Sequence, residues 1–228
     1  MRCQLIAMHG WAGDGRSWKA WATAAASRDW GWQAADRGYG SAPIQQVAWP
    51  DEEGRRVLIA HSLGPHLISD AVLAQAEAVV LLASFGAFVP PGRAGRRLQT
   101  ALNGMASALE GDQAEEMLET FLQQAAGPEP ISALPSTILA APLSSEGRSR
   151  LLQDLRLLAG TTGLPKALST EIPCLLVEAG RDGIVVPEAR ALLRQERPQA
   201  SVIHYEQAGH CLLNTTVVRD VMTWIASL

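Results

Sequence analysis

Six short apolar runs punctuate the chain, at residues 4–8, 31–35, 56–60, 78–83, 173–179 and 201–205, each ending in a turn-forming or polar stretch. Their length and apolar content predict β-strands. Between them lie stretches with helical spacing of apolar positions, at 17–27, 63–76, 187–194 and 215–227. Alternation of this kind predicts an α/β fold, a mostly parallel sheet with helices on both faces. The alternation stops between 86 and 170, where the pattern gives only helices, at 95–109, 112–125 and 145–158. The chain therefore divides into a core formed by 1–85 with 171–228 and a helical insertion at 86–170, expected to cover the carboxyl edge of the sheet as a lid. Pro90-Pro91 and Pro165 mark its margins.

The third run leads directly into His61-Ser62-Leu63-Gly64 and then into helix-forming sequence. Strand, sharp turn and helix with a serine at the apex is the geometry that raises a nucleophilic hydroxyl above a sheet edge. Pro65 falls in the first helical turn, where a missing N–H costs little. Two partners are expected after such a serine, an acid and then a histidine. The fifth run ends in Gly180-Arg181-Asp182-Gly183, which puts Asp182 just past a strand's carboxyl end. Glu178 is the weaker rival because it lies within the strand. The sixth run is followed by the loop Glu206-Gln207-Ala208-Gly209-His210-Cys211, which supplies His210 as the base. The first run ends in His9-Gly10-Trp11. In this arrangement the backbone N–H groups of Trp11 and Leu63 form an oxyanion hole, and Gly10 permits close approach of the backbone. His9, His66 and His204 are read as structural. So are the tryptophans at 18, 21, 30, 32, 49 and 224.

These features resemble the α/β-hydrolase superfamily over nearly the whole chain. The chain is more closely similar to the pimeloyl-[acyl-carrier-protein] methyl ester esterases of biotin synthesis. That resemblance rests on His9-Gly10-Trp11 with Trp18 a helical stretch later, on Asp36 to Ser41, on Ser62-Leu63-Gly64, on Phe121-Leu122-Gln123-Gln124-Ala125 and on residues 152–168. It implies an acyl site lined by Trp11, Ser62, Leu63, Phe121, Leu122, Gln123, Gln124, Ala125 and His210. The implied substrate is a methyl ester carried on an acyl-carrier-protein, hydrolysed without metal or cofactor. The chain departs from the family pattern at Ala60 and Pro65, which replace common glycines. The segment between Ser41 and Arg56 is also too short for a full helix with its loops.

Composition narrows the picture only modestly. The 228 residues are 47% hydrophobic and 18% charged, as expected for one compact core. A net charge of −4 argues against nucleic-acid binding. No apolar run is long enough to span a membrane. Cys3, Cys174 and Cys211 lack metal-ligand spacing, and no basic leader precedes the first strand, so a cytoplasmic monomer is expected. Against the acidic background, Arg93, Arg96 and Arg97 open the insertion and Arg148, Arg150 and Arg156 sit on its last helix. They form either a docking surface for an acidic carrier protein or solvated helix faces in which Glu146 and Asp154 pair locally. The sequence thus predicts a serine carboxylesterase acting on carrier-bound pimeloyl methyl ester. The alternatives are a broad esterase for short-chain esters and, behind it, a non-catalytic binding protein of the same fold.

Overall fold

The computed structural model describes residues 2–228. Strands β1 (Cys3–Met8), β2 (Gly31–Ala35), β3 (Arg55–His61), β4 (Ala78–Leu82), β5 (Cys174–Ala179) and β6 (Ser201–Tyr205) form one sheet in the order β2-β1-β3-β4-β5-β6. Every neighbouring pair is parallel. β1, β4 and β5 are buried along their whole length, which is why they read as continuous apolar runs.

Side chains alternate between two cores. On one face Leu5, Ala7, Val57, Ile59, Val80 and Val177 pack with Trp21 of α1 (Lys19–Ala26) and with Val221 and Ile225 of α7 (Val217–Ala226). On the other face Ile6, Met8, Leu58, Val79, Leu81 and Leu176 meet Val72 and Leu73 of α2 (Asp70–Ala74) and Leu193 of α6 (Pro187–Glu196). Each fully buried leucine or isoleucine contributes about 2 kcal/mol of transfer free energy.

The sequence predicts one helix over 63–76, directly after Ser62. The structure instead has a single 3-10 turn at Gly64–His66 and then the five-residue α2. Two local features explain the break. The His66 and Leu67 amides bond three residues back, to Leu63 and Gly64. Ser69 then adopts an extended backbone, and its hydroxyl accepts from Val72 N–H, starting a new helix.

Helices α3 (Arg93–Glu110), α4 (Ala114–Ala126) and α5 (Ser145–Ala159) lie between β4 and β5 in the chain. They form a third apolar cluster in which Leu102, Leu109, Leu118, Leu151 and Leu155 pack with Trp11, Leu63 and Phe85. Trp11 and Leu63 follow the carboxyl ends of β1 and β3, so the insertion sits on that edge of the sheet.

Asp154 interrupts the buried stripe Leu151, Leu155 and Leu158 of α5 and is 2% exposed. The sequence reading pairs it with nearby surface arginines. Its carboxylate instead accepts a bidentate pair from Arg37, both bonds 2.8 Å, and a bond from the Tyr39 hydroxyl at 2.6 Å. A polar clamp thus joins the insertion to the segment after β2. Asp154→Ala strands the Arg37 guanidinium and the buried Tyr39 hydroxyl, so urea denaturation is expected to show a loss of about 3 kcal/mol.

Candidate active site

Ser62 directly follows β3 with φ +54°, the left-handed region that a residue with a Cβ occupies at a cost. The strain is held from both sides. Ser62 N–H donates to Leu82 O at 2.9 Å, and Ser62 O accepts from Ser84 Oγ at 2.7 Å. Gly10 is required beside it, because a Cβ there would fall 2.8 Å from Ser62 Cβ. Gly64 passes under the β1 end so closely that a Cβ would lie 2.6 Å from Met8 O. The elbow is therefore wedged against the loop that carries Trp11. Among the described residues, neither the Trp11 nor the Leu63 backbone N–H donates a hydrogen bond within the protein. The indole of Trp11 is fixed by a bond to Leu151 O at 2.8 Å and by an edge-on contact with Phe121.

Asp182 lies in the turn after β5 with a fully buried side chain. One oxygen accepts from the Ile184 and Val185 amides, both at 2.8 Å, and the other faces His210 Nδ1 at 2.9 Å. Burial alone would raise its pKa. The His210 ring and the two amide donors outweigh burial, so the carboxyl titrates below its ordinary 3.8. An anionic Asp182 keeps the proton on His210 Nδ1 and leaves Nε2 as a free base. Glu178, the rival acid, is engaged elsewhere. It lies within β5, and Arg194 holds both its oxygens at 2.7 and 2.6 Å.

His61, next to the serine, was not singled out by the sequence. Its ring lies 4.8 Å from that of His210, and its Nε2 is 3.0 Å from the His210 carbonyl. Burial, reinforced by the nearby His210, pushes its pKa down to about 3, so it stays neutral. In that state its Nε2–H donates to the carbonyl and pins the histidine loop. His9 is held on both ring nitrogens, with Nε2 3.1 Å from Arg37 N and Nδ1 2.8 Å from Gly10 O. His66 stacks on Phe85, and burial lowers its pKa to about 4.

The carboxyl-terminal turn of α4 touches the loops that carry Asp182 and His210. Ala125 O accepts from Cys211 N–H at 3.2 Å, and Gln124 Nε2 donates to Gly183 O at 2.7 Å. Gly209 admits no side chain, because a Cβ would fall 1.5 Å from Gly127 O. Of the segment implied by resemblance, Phe121, Leu122 and Ala125 line a cavity of about 280 Å³ together with Trp11 and His210. Gln123 and Gln124 are exposed. The one-in-four spacing of a helix accounts for that split and was readable in the sequence.

The six arginines fall into two groups of different character. Arg93, Arg96 and Arg97 are exposed and line a shallow depression with Thr100. Arg148 donates to Gly111 O, Arg150 to Gly38 O, and Arg156 pairs with Glu110 at 2.8 Å. All three cysteines are free. Among the described residues no cluster of His, Cys, Asp and Glu is arranged to hold a metal ion, and no helix is long and apolar enough to cross a membrane.

Solved structures with the same architecture include an esterase from Exiguobacterium antarcticum, 15% identical with a TM-score of 0.71, the match covering 99% of this chain and 91% of that one. A thermophilic esterase from Thermogutta terrifontis is 18% identical with a TM-score of 0.68, covering 99% and 90%. The esterase RhEst1 from Rhodococcus sp. ECU1013 is 19% identical with a TM-score of 0.64, covering 99% and 91%. No curated protein matches the sequence. The family model described as the alpha/beta hydrolase family matches residues 5–218, and with this sheet, elbow and loop order the chain belongs to that family.

Proposed function

We propose that the protein is a serine carboxylesterase. The observation that carries this reading is the buried His210–Asp182 pair at 2.9 Å, one loop from a serine held at φ +54°. In the proposed cycle His210 Nε2 takes the Ser62 proton as Oγ attacks the ester carbonyl. The imidazolium is balanced by the Asp182 anion. The oxyanion forms where the unengaged Trp11 and Leu63 N–H groups point, and each donor of that kind is worth about 3 kcal/mol in the transition state. His210 then hands its proton to the departing alcohol, and water repeats the sequence on the acyl-enzyme. The direct test is mass spectrometry after treatment with a fluorophosphonate. A single adduct on the peptide containing Ser62 is expected, and an adduct elsewhere or none overturns the reading.

The finer reading is hydrolysis of the methyl ester of pimeloyl-acyl-carrier-protein, with α3–α5 acting as a lid. It is supported by the likeness of Trp11, Phe121, Leu122 and Ala125 to that acyl site and by the exposed patch of Arg93, Arg96 and Arg97, whose side chains have no partner among the described residues. Arg148, Arg150 and Arg156 are tied to the protein itself and contribute less to a docking surface. Reversing charge at Arg93, Arg96 and Arg97 together is expected to lower kcat/KM on the carrier-bound ester roughly tenfold at low salt, with much less effect on p-nitrophenyl butyrate. Equal losses on both substrates indicate damage to α3. No loss on either favours the second reading, a broad esterase for short-chain esters, which the modest cavity of about 280 Å³ supports.

A further inference from the structure

His210, the proposed base, sits at the second position of a tight turn. Leu212 N–H donates to Gly209 O at 2.9 Å, so the turn runs from Gly209 to Leu212. In such a turn the first carbonyl and the last amide bond each other, and the central peptide makes no bond inside the turn. Here the central peptide is the one joining His210 to Cys211. Whatever holds it must come from outside the turn.

Two elements hold it, one at each end. The His210 carbonyl accepts from His61 Nε2 at 3.0 Å, and Cys211 N–H donates to Ala125 O at 3.2 Å. A carbonyl can only accept, so the hydrogen is on Nε2. The His61 ring has little room to leave this bond. It lies 4.8 Å from the His210 ring, and a Cβ on Gly10 would fall 3.3 Å from its Nδ1. His61 is also the last residue of β3, directly before Ser62. The Ser62 backbone is itself fixed by Leu82 and Ser84. One side chain therefore ties the base loop to the strand end that carries the nucleophile. His210 is 3% exposed, so its carbonyl has little access to solvent if His61 is removed.

We propose that His61 is a positioning residue for the reaction: its Nε2–H holds the His210–Cys211 peptide and so aims the His210 imidazole at Ser62. The peptide begins at the His210 carbonyl carbon, so its tilt is passed through Cα to the ring. A base misplaced by about 1 Å costs on the order of a hundredfold in rate. The assignment deepens the esterase reading and rests on it.

The test compares three variants on p-nitrophenyl butyrate. His61→Gln places an amide N–H near the position of Nε2. His61→Asn stops short of the carbonyl, and His61→Phe fills the place of the ring without a donor. The asparagine and phenylalanine variants are expected to lose between about ten- and a hundredfold in kcat, with KM changed less than about twofold. The glutamine variant is expected to stay within about threefold of wild type, since the donor is restored. A second readout does not depend on turnover. Cys211 N–H is the far end of the held peptide, so its hydrogen exchange, followed by NMR, is expected to quicken roughly tenfold in the asparagine variant and not in the glutamine variant. A kcat near wild type in the asparagine variant overturns the proposal. So do equal losses in the asparagine and glutamine variants, a loss confined to KM, and unchanged exchange at Cys211. Should the phenylalanine variant fail to fold, the other two decide alone. A wild-type protein inactive on every ester overturns the esterase reading instead, and the exchange result still reports whether His61 holds the peptide.

Discussion

Ser62→Ala is expected to lower kcat for ester hydrolysis by about a millionfold, the loss seen when the nucleophile of a serine triad is removed. Thermal stability should change little, since the substitution removes one small hydroxyl and leaves the backbone anchors to Leu82 and Ser84 in place. Ser62→Gly separates chemistry from strain. It is expected to be as inactive as the alanine variant yet more stable than it by about 1 kcal/mol, because glycine occupies φ +54° without a Cβ clash. Turnover near the wild-type value in either variant, measured after active-site titration, would remove Ser62 from the mechanism.

Asp182→Asn is expected to cost about ten-thousandfold in kcat. The amide oxygen can still accept from Ile184 and Val185 N–H, which orients the NH2 group toward His210 Nδ1. Nδ1 must then become the acceptor and Nε2 the proton carrier. The base is lost through the wrong tautomer while the geometry survives. Glu178→Gln, with its carboxylate on Arg194 rather than on a histidine of the site, is expected to change kcat less than threefold. If the two variants exchanged these effects in a pre-steady-state assay, the orienting acid would be Glu178.

The strands were legible because burial on both faces leaves little room for polar residues, so β1, β4 and β5 appear as unbroken apolar runs. Ser62, Asp182 and His210 were legible as candidates because each lies in the loop just past a strand. What stayed hidden depends on partners far away in the chain. Asp154 marks itself only as a carboxylate in an apolar stripe; its partners Arg37 and Tyr39 lie more than 110 residues away. The helix expected over 63–76 has the right composition, but the Ser69 cap and the tight packing of Gly64 under β1 divide it. The arginines on α5 look free in sequence and are held by carbonyls and by Glu110 in the fold. The cavity is assembled from the segments around Trp11, Trp18, Phe121, Leu134 and His210, and no single stretch encodes it.

The end of α4 grips the acid loop through Gln124 and the base loop through Ala125. Any excursion that lifts this helix therefore pulls on Asp182 and His210 together. The helix end and both loops are expected to open as one unit, with amides that exchange with solvent at a shared rate. Such opening would separate Ser62 from the His210 ring. If the proposed mechanism holds, labelling of Ser62 by a covalent inhibitor should slow as that unit is made to open more often.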